Sequence, residues 1–294
     1  MYTTLISAEQ LLALRAAGSR HMVFDCSFDL MAATAGAQQY HEAHIPGAVY
    51  ANLDTDLSDK GLPDAQGKYH TPPGAASGGR HPLPSLEKFS TWLSSVGFAN
   101  DMQAVVYDRQ GANYCGRLWW MLKWAGHDAV AVLDGGLQAW QAAGGTTDSA
   151  EVSHFQTNFE PGTPLVKLAT TSDVLKGLDG PGQTIIDARA GPRFRGEVEP
   201  LDPVAGHIPG ALNRPFAQNM GTDGKFKPPA QLKAEFEALL AGRDPAGVVQ
   251  HCGSGVSAVP NVLAMQLAGL GVPALYAGSW SEWCGDASRP VAKG

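Results

Sequence analysis

The fold of this chain is decided by the stretch Val248-Val249-Gln250-His251-Cys252-Gly253-Ser254-Gly255-Val256-Ser257-Ala258. The apolar residues from Gly247 to Val249 predict a buried parallel strand, and the pattern from Val259 to Leu267 predicts a helix. A strand that runs through small residues into a helix aims several main-chain N–H groups into one small space. The helix dipole adds partial positive charge at the same place. Because these groups stabilise a thiolate, the stretch predicts a turn that holds the Cys252 sulfur as an anion.

Two other interpretations of Cys252 need to be weighed. A lone cysteine after a strand is often a small hydrophobic residue of the core. A core cysteine has no need of Gly253 and Gly255 on either side of the next serine, so the surrounding residues favour a functional turn. A cysteine phosphatase needs an arginine that closes the loop and binds phosphate through two hydrogen bonds. The residue six positions after Cys252 is Ala258, which disfavours phosphatase chemistry.

The segment from Cys252 to Ser257 resembles the active-site loop of the rhodanese superfamily, specifically its 3-mercaptopyruvate sulfurtransferase branch, where Cys-Gly-Ser/Thr-Gly-Val-Thr is typical. Ser257 keeps the hydroxyl of that threonine. The thiosulfate-using branch resembles this chain less, since it typically carries a basic pair where Gly253 and Ser254 stand. The resemblance implies that Cys252 takes up a sulfur atom as a persulfide. The other loop residues assigned to substrate binding are Gly253, Gly255, Val256 and Ser257.

Composition and charge narrow the class of protein. The chain has 294 residues, enough for two domains, with 44% apolar and 17% charged residues. A net charge of -7 and the lack of a Lys/Arg cluster argue against a nucleic-acid partner. We see neither a signal peptide nor an apolar run long enough to span a membrane. The four cysteines lack paired spacing, so we expect thiols in a cytoplasmic protein without a membrane partner.

An internal duplication covers most of the chain. The motif His44-Ile45-Pro46-Gly47-Ala48 recurs as His207-Ile208-Pro209-Gly210-Ala211, and residues 104–140 align without gaps on residues 247–283. Short strands alternate with helices in both copies, which predicts a parallel sheet covered by helices on both faces. Together with the resemblance, this predicts an α/β fold made of two tandem rhodanese-like domains.

The predicted elements follow the same order in the two copies. Strands are expected at 104–107, 129–133, 184–186, 248–250 and 274–276, with one more ending at Asp25. Helices are expected at 8–17, from an N-cap at Ser85 to Leu93, and at 116–125, 137–142, 171–178, 229–240, 259–267 and 281–283.

The two predicted domains differ in chemistry. Residues 1–143 form the first, residues 144–164 the linker, and residues 165–294 the second. Arg109 stands at the position of Cys252, so the first domain is expected to lack the activity. The first copy also carries an extra segment at 58–80, interpreted either as a surface loop or as a segment leaning over the cleft between the domains.

Arg193 is the main candidate for binding a donor carboxylate. It follows a predicted strand, at the sheet edge where α/β proteins bind ligands, and a guanidinium binds a carboxylate through two hydrogen bonds. In the resembling family Arg193 matches the first substrate arginine, and the second falls in a Glu-Pro-Glu-Pro-Arg run, whereas the corresponding stretch from Glu197 to Asp202 has no arginine at its end. Arg195 or Arg189 could substitute, although Arg189 is better interpreted as part of a structural ion pair.

A proton-transfer group can be assembled around Ser254. The resemblance implies a catalytic role for Ser254 and a relay with His81 and an aspartate, for which Asp56 and Asp54 both remain candidates. Such a relay could give a proton to the enolate left by sulfur removal. Without the resemblance, exposed His and Asp side chains would be the expected interpretation.

The sequence therefore predicts a sulfurtransferase that moves sulfur from 3-mercaptopyruvate, through a Cys252 persulfide, to cyanide or a thiol. A thioredoxin-like protein is a candidate acceptor. The chemistry requires no metal and no cofactor, and no nucleotide-binding glycine motif is present. Two alternatives stay open: thiosulfate as the donor, and a persulfide-carrying binding module without turnover.

Overall fold

The computed structural model describes residues 1–62, 70–178 and 180–294. Its contacts divide the chain into two compact units. The first unit comprises Met1–Ser58, Pro84–Leu165 and Thr222–Lys225, and the second comprises Asp59–Leu83, Val166–Gly221 and Phe226–Gly294. The segment that carries His81 therefore belongs to the same unit as Cys252.

The first unit is built on a parallel sheet flanked by helices. Its strands are β1 (Leu5–Ile6), β2 (His21–Asp25), β3 (Val49–Tyr50), β4 (Gln103–Tyr107) and β5 (Val130–Leu133). Its helices are α1 (Ala8–Ala16), α2 (Ala35–Glu42), α3 (Leu86–Ser95), α4 (Cys115–Trp124) and α5 (Gly136–Ala142). The strand order is β1-β5-β4-β2-β3. Every residue of β4 and β5 is buried, as expected for parallel strands covered on both faces.

The second unit repeats this architecture. Its strands are β6 (Thr184–Asp187), β7 (Leu212–Asn213), β8 (Val248–His251) and β9 (Ala274–Leu275), in the order β7-β6-β8-β9. Its helices are α6 (Thr171–Gly177), α7 (Gly191–Phe194), α8 (Pro229–Leu240), α9 (Val259–Leu267) and α10 (Ser279–Trp283). Strand β8 lies in the middle of the sheet, parallel to both neighbours. Cys252 therefore lies directly after the carboxyl end of a central strand, at the edge of the sheet where parallel α/β sheets bind ligands.

The predicted α/β fold with parallel sheets is confirmed, and several elements match closely. Helices α8 and α9 have the predicted bounds. Ser85 is the N-cap of α3, and its side chain accepts a hydrogen bond from the Lys88 amide. Helix α10 begins at Ser279, two residues before the predicted start.

Five short elements were not predicted. Strands β1, β3 and β7 have two residues each, too few to show any periodicity, and they exist because they pair with a longer neighbour. Helix α2 buries only Gly36 and Tyr40, so it has no apolar stripe. Helix α7 has four residues.

Part of the extra segment at 58–80 lies outside the described residues, namely 63–69. The two interpretations of the whole segment therefore stay predictions. Among the helices that the structure describes, none has the length and apolar character needed to cross a bilayer.

Candidate active site

Cys252 is held in place by the start of α10. Its N–H donates to Ser279 Oγ at 3.1 Å, and its carbonyl accepts from the Trp280 N–H at 3.1 Å. The Gly253 carbonyl accepts from the Ser281 N–H at 2.9 Å. These bonds fix the main chain on both sides of the thiol. Cys252 is buried, with 2% of its surface exposed.

The turn after Cys252 depends on one glycine and leaves main-chain donors available. Gly255 has φ +73°, and a Cβ there would lie 2.2 Å from the Ala277 carbonyl oxygen, so no other residue fits. Within the described residues, the amides of Ser254, Val256 and Ser257 donate to no protein acceptor. Helix α9 begins directly after this turn. The turn can therefore stabilise an anion, such as a thiolate or a persulfide, with its amides and the helix dipole.

The matching turn of the first unit is filled by its own carboxylate. The Asp108 side chain accepts hydrogen bonds at 2.8–3.1 Å from four main-chain amides of that turn: Gln110, Ala112, Tyr114 and Cys115. Arg109, at the position of Cys252, donates to Asp25 and to main-chain carbonyls. The main-chain amides that are available to a ligand in the second unit therefore already have an acceptor in the first unit. The alignment of the two copies predicts Arg109 at this position but does not predict the role of Asp108, although its place directly after β4 was an available signal.

The structure brings His81 and Ser254 together. His81 Nδ1 lies 2.8 Å from Ser254 Oγ, and both residues are buried. The default expectation of an exposed histidine is therefore wrong. Asp56 lies in the first unit, where its carboxylate accepts from the Asn52 amide and from Thr55. Burial raises the pKa of the Asp56 carboxyl above its ordinary value. The role of Asp56 in a relay stays a prediction.

Arg193 reaches the turn while bound to two carboxylates. Its Nη2 lies 2.6 Å from Glu199 Oε1 and 3.1 Å from Asp202 Oδ2. Its Nη1 lies 3.5 Å from the position that a Cβ on Gly253 would occupy. The predicted candidate for donor binding is thus next to the residue that follows Cys252.

The two arginines considered as substitutes differ from Arg193. Arg195 is 46% exposed and pairs with exposed Glu197 at 2.7 Å. Arg189 is buried, donates to both carboxylate oxygens of Asp187, and stacks over Trp280 at 4.7 Å. Arg189 is therefore the structural ion pair that the sequence favoured, and Arg195 pairs at the surface.

Arg80 also lies beside the turn and was not predicted from the sequence. Its Nη1 lies 2.5 Å from Asp202 Oδ1, and its Nη2 lies 3.1 Å from the Cβ position of Gly253. The available signal was its place directly before His81, because a segment that carries one site residue orients its neighbours as well. The turn therefore has two guanidinium groups beside Gly253.

Comparison with protein families gives a match to the rhodanese-like domain at residues 7–143 and again at 170–286. The chain belongs to the rhodanese-like family. The two matched regions correspond to the duplication seen in the sequence. The predicted identification as a tandem rhodanese-like protein is confirmed.

Relatives of this rhodanese-like protein have names from both donor classes. A "Probable 3-mercaptopyruvate sulfurtransferase" of Pseudomonas aeruginosa is 46% identical over 99% of this chain and 98% of its own length. A "Putative thiosulfate sulfurtransferase SseB" of Mycobacterium tuberculosis is 38% identical over 99% of this chain and 97% of its own. Among solved structures, SseA from Escherichia coli, described with the 3-mercaptopyruvate sulfotransferases, matches with TM-score 0.75 and 30% identity. This match covers 95% of this chain and 100% of that one.

Proposed function

We propose that this rhodanese-like protein is a sulfurtransferase that moves a sulfur atom from 3-mercaptopyruvate through a Cys252 persulfide to a thiol or cyanide. The observation that carries the proposal is the turn after Cys252, whose Ser254, Val256 and Ser257 amides donate to no acceptor within the described residues. The name of the Pseudomonas aeruginosa relative supports the choice of donor.

The first half-reaction loads the protein. The Cys252 thiolate attacks the sulfur of 3-mercaptopyruvate, an S–S bond forms, and the C–S bond breaks with its electron pair going to carbon. The enolate of pyruvate that results takes up a proton and leaves as pyruvate. The hydrogen-bonded Ser254 hydroxyl and His81 imidazole supply that proton or position the donor that carries it.

The second half-reaction unloads the protein. A thiolate or cyanide attacks the outer sulfur of the persulfide, the S–S bond breaks, and Cys252 returns as a thiolate. Cyanide leaves as thiocyanate, and a thiol leaves as a persulfide. A small thiol or a thioredoxin-like protein is the proposed acceptor in the cell.

The proposal assigns the sulfur-carrying nucleophile to one domain, to which the segment before Leu83 contributes His81. Residues 165–294 form the catalytic domain, residues 144–164 the linker, and residues 1–143 a domain without activity. The filled turn at Asp108 and the guanidinium of Arg109 support that assignment. Cytoplasmic location is part of the proposal and is supported by four cysteines that are all free thiols.

Thiosulfate is a second candidate donor, and one observation favours it. The guanidinium groups of Arg80 and Arg193 lie beside Gly253, where a compact dianion would be attracted. They supply the positive charge that the sequence of the loop itself lacks. The name of the Mycobacterium tuberculosis relative points the same way.

Intact-protein mass spectrometry tests the proposal. Wild type incubated with 3-mercaptopyruvate is expected to gain one sulfur atom and to lose it again on addition of cyanide. Cys252→Ser should gain none, whereas Cys284→Ala, the matched control, should behave as wild type. If thiosulfate loads Cys252 faster than 3-mercaptopyruvate does, thiosulfate is the preferred donor. A loaded protein that never discharges would indicate the binding module instead.

A further inference from the structure

We propose that Arg80 binds the donor carboxylate together with Arg193, and that Asp202 positions both guanidinium groups for this task. Arg80 then supplies the second guanidinium group for the carboxylate of 3-mercaptopyruvate. This inference rests on the proposed function, which it deepens by naming how the donor is recognised.

Asp202 lies between the two arginines. Its Oδ1 binds Arg80 Nη1 at 2.5 Å, and its Oδ2 binds Arg193 Nη2 at 3.1 Å. The Asp202 side chain is 4% exposed. One buried carboxylate therefore orients two cations toward the same face of Gly253, where Arg80 Nη2 comes within 3.1 Å of the Cβ position.

The main chain of Arg80 is tied to the turn that carries the thiol. The Arg80 N–H donates to Ser281 Oγ at 2.9 Å, and the Ser281 N–H donates to the Gly253 carbonyl at 2.9 Å. Gly79 lies so close to α10 that a Cβ there would be 2.5 Å from the Gly278 carbonyl oxygen. Arg80 is consequently fixed with respect to Cys252 by short bonds rather than by a flexible loop.

Arg80 retains donors for a ligand. Its Nε is buried and has no hydrogen-bond partner in the described part of the chain. Arg193 differs, since its Nε and Nη2 both bind Glu199. An unsatisfied buried N–H is costly, and a carboxylate oxygen would satisfy it.

Arg80 and its partner Asp202 border open space that a small ligand can occupy. Arg80 and Asp202 line a cavity of about 1030 Å³ within the second unit, whose wall also includes Gly79 and Ser281. A small keto acid fits easily in this volume.

Steady-state kinetics with 3-mercaptopyruvate and cyanide tests the role. Arg80→Ala should raise KM about 10- to 100-fold and change kcat little, because a charge-assisted hydrogen bond contributes about 1.5–3 kcal/mol to binding. Arg80→Lys should recover part of the loss. Arg243→Ala, an exposed arginine of the same unit, is the matched control and should leave KM unchanged.

Inhibition by pyruvate gives a second readout of carboxylate binding. Pyruvate should inhibit wild type more strongly than methyl pyruvate, which lacks the charge, and Arg80→Ala should remove the difference. Equal pyruvate inhibition of wild type and Arg80→Ala would overturn the inference. Failure of wild type to form a persulfide would refute the proposed function instead, and binding of pyruvate to wild type and Arg80→Ala would then still decide the role of Arg80.

Asp202→Asn separates donor binding from a merely structural ion pair. Because Asp202 orients both guanidinium groups, Asp202→Asn should raise KM for 3-mercaptopyruvate and weaken inhibition by pyruvate but not by methyl pyruvate. If KM and both inhibitions stay as in wild type, the contacts of Asp202 with the two arginines are structural only, and the positioning role is wrong. Thermal unfolding of each variant shows whether it is folded.

Discussion

The four cysteines of the chain have different surroundings. Burial raises the pKa of the Cys284 thiol to about 11 and raises those of Cys26 and Cys115 well above the ordinary value. Nearby carboxylates, among them Asp202 for Cys284 and Asp108 for Cys115, act in the same direction. Cys252 is followed by the turn whose Ser254, Val256 and Ser257 amides have no acceptor in the part of the chain that the structure describes, and helix α9 begins directly after that turn. Burial and nearby negative charge thus keep the thiols of Cys26, Cys115 and Cys284 protonated, whereas the turn after Cys252 can stabilise a thiolate.

This difference predicts how Cys252→Ser reacts with iodoacetamide. At pH 8 a thiol with a pKa of about 11 is almost entirely protonated, and its thiolate fraction rises about tenfold per pH unit below that value. Cys252→Ser should therefore react slowly at pH 8 and roughly ten times faster at pH 9, whereas wild type adds one rapid modification at Cys252. A time course of intact mass measures this. Rapid alkylation of Cys252→Ser at pH 8 would contradict the prediction.

The contact between His81 and Ser254 predicts a shared effect on turnover. Ser254→Ala and His81→Gln should each lower kcat with 3-mercaptopyruvate by about 10²–10⁴, the usual contribution of positioned proton transfer. Because the two side chains act as one unit, the double variant should lose little more than either single variant.

Matched controls make this prediction specific. Ser172→Ala and His154→Gln remove exposed side chains of the same types and should leave kcat as in wild type. Additive losses in the Ser254/His81 double variant would show that the two groups act separately, and an unchanged kcat in Ser254→Ala would remove Ser254 from the mechanism.

At the scale of elements, the turn between β8 and α9 was the most predictable part of the molecule. A continuous apolar strand, small residues and an apolar helix follow one another in the sequence, and local patterns of this kind predict local structure. Arg80 could not be predicted in the same way. Its place beside Gly253 depends on Ser281 and Asp202, which are distant in sequence and come together only when α10 packs against the turn.

The strict need for glycine in this turn predicts the effect of a single methyl group. Gly255→Ala should reduce sulfur transfer at least tenfold, because the left-handed backbone costs about 1–2 kcal/mol for an L-residue and the new Cβ would collide with the Ala277 carbonyl. Gly269→Ala is the matched control, since Gly269 has φ +72° and open space around it. Gly269→Ala should lower the unfolding temperature slightly and keep the activity. Equal activities of the two variants, measured with cyanide as acceptor, would show that the turn tolerates a side chain.

At the scale of the whole molecule, the duplication has produced two matching turns whose main-chain amides differ in their acceptors. The amides are hydrogen-bonded to Asp108 in the first unit and are available to a ligand in the second. The sequence predicted that the first domain lacks a nucleophile, since Arg109 replaces Cys252. It did not predict the reason why restoring a cysteine would be insufficient. In the first unit the Asp108 carboxylate accepts the turn amides at 2.8–3.1 Å, so an anionic sulfur would find no free donor and a negative charge beside it.

The filled turn predicts the behaviour of Arg109→Cys. This variant has a cysteine in both copies, yet it should still gain only one sulfur atom per chain from 3-mercaptopyruvate, and Arg109→Cys combined with Cys252→Ser should gain none. The physical reason is that Asp108 occupies the amides and its charge disfavours a thiolate at position 109. Intact mass after loading distinguishes one added sulfur from two, and peptide mapping locates it. A second sulfur at position 109 would show that a persulfide can displace the Asp108 carboxylate from the turn amides. The first domain would then lack activity only because it lacks a cysteine.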